Sequence, residues 1–133
     1  AMLLAQILKP IVNSLLGNKT DWRMMFQSGG MPSSHSSMTT AIAVSIGLWQ
    51  GFGSPTFAVA FGMLLIVTYD AANVRWQSGL HAQKINQLIR DVFSGQPMSD
   101  VLLKEVIGHT PNQVFVGVAL GIICALGLYF LRL

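Results

Sequence analysis

Apolar residues gather into runs at 2–16, 36–52, 55–69 and 111–131, and the stretches between them hold most of the charges. A helix needs about 20 residues to cross the hydrocarbon of a bilayer. Ser33–Phe52, Pro55–Val74 and Pro111–Leu131 reach that length and are predicted to span. Met2–Leu16 is shorter and interrupted by Lys9-Pro10, so it either spans as a kinked helix, lies in the interface or re-enters. It lacks the small-residue cleavage site of a signal peptide and is expected to be retained. Gly51-Phe52-Gly53-Ser54-Pro55 combines a helix stop, a cap and a first-turn proline, which predicts an antiparallel hairpin of the second and third helices. Over residues 76–92, Leu80, Ile85, Leu88, Ile89 and Val92 form a helical stripe opposed by Gln77, Lys84, Gln87 and Asp91. That pattern predicts an amphipathic helix along the membrane surface. Ser94-Gly95-Gln96-Pro97 should end it, and a short helix Asp100–Ile107 should follow, capped by Ser99. The expected fold is all-α: one membrane domain over residues 1–133, a polytopic bundle of three to four transmembrane helices plus an amphipathic interfacial helix.

Composition agrees with lipid as the solvent. Hydrophobic residues make up 52% of the chain and charged ones only 10%, against roughly 25% charged in soluble domains. The formal net charge of +3 is scattered, which excludes a nucleic-acid surface. The single cysteine, Cys124, lies in the last apolar run and rules out an internal disulfide. Lys19, Arg23, Arg75, Lys84, Arg90 and Lys104 fall within residues 17–32 and 70–110, whereas the Gly51–Ser54 turn has no charge and the C-terminus only Arg132. By the positive-inside rule those two stretches are cytoplasmic, in what is expected to be a cell inner membrane. Gly47/Gly51 and Gly117/Gly121 have the spacing that lets helix backbones approach in lipid. They serve packing within one chain or a seam between copies, and so small a bundle is expected to form a homo-oligomer.

Three polar stretches meet the membrane on the cytoplasmic side: Gly29 to Ser36, Asp70 to Arg75, and Gly108 to Gln113. Polar groups at membrane depth are costly and are functional candidates. Gly29 and Gly30 precede a helix start, where backbone N–H groups can form an anion-binding concavity, with Ser33 and Ser34 as cap and extra donors. His35 lies beside any anion bound there. His109, before the next helix start, can act as a nucleophile on phosphorus. Arg75 offers a planar fork of donors for phosphate oxygens, which Asp70 can orient. Each stretch alone also has a plain explanation: the serines cap, the glycines turn, Arg75 snorkels, and Asp70 pairs with it. Three scattered histidines and one apolar cysteine make a metal site improbable, and no cofactor is expected.

Taken together, these stretches resemble the divergent membrane branch of the acid phosphatase and vanadium-dependent haloperoxidase superfamily, which includes the type 2 phosphatidic acid phosphatases. Pro32-Ser33-Ser34-His35 is similar to the superfamily motif Pro-Ser-Gly-His, which carries the general acid. His109, Gln113, Val114 and Gly117 are similar to His-x-x-x-Asp-Val-x-x-Gly, which carries the nucleophile, with Gln113 in the place of the aspartate. The resemblance implies a lipid phosphate as ligand and hydrolysis through His109, with His35 as acid and Arg75, Ser34 and the Gly29-Gly30 backbone holding the phosphate. No Lys-x6-Arg-Pro motif stands upstream of Pro32. Arg75-x5-His81 repeats the superfamily's arginine-to-histidine spacing, but Ile85 stands where an aspartate should follow, so His81 is read as a solvated surface residue. The alternative function is a non-catalytic lipid-binding or scaffold protein that keeps the fold and the anion pocket.

Overall fold

Pro10 does not break the first helix. In a computed structural model, which describes residues 1–26, 29–92 and 109–131, α1 runs Met2–Leu15 straight through it. A short 3-10 helix, Trp22–Phe26, follows and packs back on α1. The architecture is all-α. α2 (Ser34–Gln50) starts at Ser33, whose hydroxyl accepts from the N–H of Ser36, and stops at Gly51, whose φ of 90° is a left-handed value that suits glycine. α3 (Pro55–Tyr69) begins as expected, with Ser54 accepting from the N–H of Phe57 and Pro55 in the first turn. α5 (Pro111–Phe130) opens with a full capping box between Thr110 and Gln113.

The third helix does not end where the sequence suggests. Beyond Tyr69 the chain makes one π-helical turn, Asp70–Val74, and continues as α4 (Arg75–Val92). The expected surface helix is therefore an extension of α3. Its buried positions are the small or polar Gly79, Ala82 and Asn86, while Ile85, Leu88 and Val92 of the apolar stripe stay exposed. The expected stop at Ser94–Pro97, the helix Asp100–Ile107 and Arg132 lie outside the described residues.

α2 is the hub, packed against α5, α3 and α1. A Cβ on Gly117 would come 2.6 Å from the carbonyl oxygen of Ser33, and one on Gly121 would come 2.5 Å from that of Ser37. These two glycines thus serve packing within the chain, letting α5 lie directly on the backbone of α2. Gly47 leaves room for the Phe52 ring and Gly51 ends α2, so the other glycine pair also has internal uses.

Two continuous helical stretches, Pro55–Arg90 with 36 residues and Pro111–Phe130 with 20, are long and apolar enough to cross a membrane. Only 11% and 22% of their most apolar windows is buried. In water such helices would have to hide those faces, so their exposure fits a lipid environment. α1, with 14 residues, and α2, with 17, are shorter.

Candidate anion pocket

Main-chain hydrogen bonds tie the three polar stretches together at one end of the bundle. The N–H of Ser33 donates to the carbonyl of Gln113 at 3.1 Å, and the N–H of His109 donates to the carbonyl of Ala71 at 3.1 Å. The start of α2, the π turn and the start of α5 are thereby held in register.

Beside this junction lies a cavity of about 200 Å³. Ser34 and His35 line it from the first turn of α2, His109 from the approach to α5, Gly29 from the loop before α2 and Phe26 from the end of the 3-10 helix. Gln6 and Lys9 of α1 close the remaining side. Gly29 and Gly30 carry φ values of 120° and 77°, backbone that favours glycine. Ser33 is fully buried and shares a 2.9 Å hydrogen bond with the hydroxyl of Ser36, so it acts as cap. Ser34 is different. Ser34 is 2% exposed and its Oγ makes no hydrogen bond; Oε1 of Gln6, a half-buried residue, makes none either. A buried polar atom without a partner costs about 1–3 kcal/mol. Two such atoms on one cavity mark a place for something polar.

The orientation of His109 follows from its neighbours. Its Nδ1 lies 3.1 Å from Oε1 of Gln113, and that oxygen also accepts from the N–H of Thr110 at 3.2 Å. A backbone N–H only donates, so the Gln113 atom facing it is the oxygen. Nδ1 of His109 must then be the protonated nitrogen, which leaves the lone pair of the neutral ring on Nε2. Gln113 thus caps α5 and fixes the tautomer at once. Burial pushes the pKa of His109 below the usual histidine value, against the raising effect of its hydrogen bond to Gln113. Lys9 and His35 lower it further through their charge.

The structure does not bring every candidate to this cavity. Nε of Arg75 donates to Oδ2 of Asp70 at 2.6 Å, with side chains 52% and 36% exposed, and neither residue lines the pocket. The π turn points this pair outward. His81 is exposed on α4. Three lining residues are not among the candidates of the sequence: Phe26, Lys9, only 2% exposed, and Gln6, three residues before Lys9 on the same face of α1. The signal for the last two was a lysine inside an apolar run, read there only as an interruption. Among the described residues no cluster of three or more histidine, cysteine or acidic side chains is placed to hold a metal ion.

Comparison with known proteins gives two matches. Residues 1–124 match the model of a family described as the Divergent PAP2 family. The chain is also 33% identical to the membrane protein YuiD of Bacillus subtilis (strain 168), in an alignment covering 98% of this chain and 89% of that protein. No solved structure matches.

Proposed function

The chain belongs to the divergent PAP2 family of membrane proteins, and from that premise we propose that its pocket binds the phosphate of a lipid monoester and hydrolyses it through His109. One observation carries the reading: a buried lysine shares a small cavity with two unpartnered polar atoms and two histidines. Phosphate offers acceptors to the Lys9 ammonium and the Ser34 hydroxyl. The Gln6 amide, turned by half a rotation, presents an N–H to the same anion. In this reading Lys9 takes the part that the sequence suggested for Arg75.

The reaction needs positioning and charge neutralisation rather than a metal. Nε2 of His109 attacks phosphorus, forming a P–N bond as the P–O ester bond breaks, and His35 gives its proton to the departing alkoxide. Water then attacks the phosphohistidine and breaks the P–N bond while His35 recovers a proton. α2 joins α3 and α5 as a third span, with the pocket at the cytoplasmic end, where Lys19, Arg23, Arg75, Lys84 and Arg90 lie.

A second reading, binding without turnover, is favoured by Gln113. A neutral amide orients His109 but does not stabilise the imidazolium that forms on phosphoryl transfer. Gln113 already holds the tautomer, so what a carboxylate would add is the charge that stabilises the imidazolium. Gln113→Glu keeps the capping box and restores that charge. Its rate of phosphate release from a panel of lipid phosphates is expected to rise at least about tenfold over wild type, with His109→Ala as blank. A folded Gln113→Glu protein and a wild type that are both no faster than the blank would leave binding without turnover.

A further inference from the structure

The geometry points to the apolar groove between α2 and α3 as the seat of the hydrocarbon chain of that lipid phosphate, an assignment that rests on the pocket reading above. The groove holds about 520 Å³ and is lined by Met38, Thr39, Ile42 and Ile46 of α2 against Val59 and Met63 of α3. Positions 35, 38, 39, 42 and 46 recur at intervals of three and four, so they form one stripe on α2. The stripe starts at His35, which lines the polar pocket. From His35 to Ile46 the helix rises about 16 Å. A polar cavity at one end and an apolar trough along the same helix face match the two halves of an amphiphile.

The details of the lining support this occupant. The hydroxyl of Thr39 donates to the carbonyls of His35 at 3.0 Å and Ser36 at 3.3 Å, so it leaves no unmet polar group in the trough. Ile42, Val59 and Met63 are 48%, 67% and 59% exposed, so the groove opens sideways and a chain can enter from the bilayer. From Met38 to Ile46 the trough follows about 12 Å of helix, room for a stretch of extended chain. A chain gains little by leaving lipid for an apolar groove. The groove therefore acts by direction: the headgroup seats beside His35 and His109 only with its chain along this path, so an obstruction in the groove costs affinity.

Binding of orthovanadate, ethyl phosphate and hexadecyl phosphate to the whole protein in detergent, measured by calorimetry, tests this assignment. Ile42→Trp and Val59→Trp fill the groove from exposed positions. Each should weaken hexadecyl phosphate at least tenfold and leave orthovanadate and ethyl phosphate unchanged. Unchanged affinity for hexadecyl phosphate would overturn the assignment. So would a Trp variant that alters the oligomeric mass alone, which would give the groove to a second copy. A wild type that binds hexadecyl phosphate but neither small anion would remove the polar pocket and the groove's role with it. A measurement needing no substitution uses hexadecyl phosphate with a terminal diazirine on the wild type. Crosslinks are expected within residues 38–63, and crosslinks confined to α5 would also defeat the proposal.

Discussion

Lys9 and Arg75 are both cations close to the end of the bundle where the polar stretches meet, yet their settings are opposite. Arg75 is about half exposed and engaged with Asp70, a geometry in which solvent and salt screen most of the interaction. Lys9 is buried in the side of a small cavity, with its stem against Gly30 and its charge felt by His109. Low polarisability around a buried cation makes its field on a bound anion several times stronger than at the surface. Proximity in the chain to a motif therefore says less about a cation's use than burial does.

The contrast is easiest to break with anion binding. Lys9→Met should weaken orthovanadate by about 10- to 100-fold, the range of a charge-assisted hydrogen bond of about 1.5–3 kcal/mol. Arg75→Ala should change it less than about twofold, as expected for an exposed, screened charge. Equal losses in the two variants, by calorimetry in detergent, would erase the distinction. The packing that holds the pocket is tested next. Gly121→Ala places a methyl against the backbone of α2 and should destabilise the protein by about 1–3 kcal/mol, read as a lower denaturation midpoint. Gly127→Ala, with open space around it, should not.

The pocket should also respond to acid. A histidine whose folded pKa lies below its unfolded value of about 6.5 binds its proton more readily once unfolded. Its contribution to stability is thus complete above that pH and is lost as pH falls toward the lower, folded value. Wild type should lose stability below about pH 6.5, and His109→Gln should flatten that slope in a melting series from pH 7.5 to about 5. The smallest effect belongs to the exposed pair. Asp70→Asn should cost less than about 1 kcal/mol, and less still at high salt.

Much of this arrangement can be read locally. The caps at Ser33, Ser54 and Thr110 and the stop at Gly51 follow from short-range hydrogen bonding, and the structure has all four. His35 and His109 are traceable for the same reason, since each adjoins a helix start. Lys9 and Gln6 are not, because their role depends on how α1 lies against residues more than 20 positions away. The outward turn of Arg75 and Asp70 depends on a π turn, which has no reliable sequence signature. The face of α4 that is buried depends on its neighbours rather than on the hydropathy of its own residues.

That π turn has one more consequence. An α-helix advances about 100° per residue, and a π turn accommodates an extra residue without breaking the rod. Asp70–Val74 therefore acts as a rotational offset between two registers, so that a face continued from α3 emerges on a different side of α4. Deleting Ala72 would remove the residue that the turn absorbs, so the turn would revert to α-helix with α4 left nearly where it is. Gly79, Ala82 and Asn86 would keep the side they now bury, and Ala71, whose carbonyl receives the His109 N–H, lies upstream of the change.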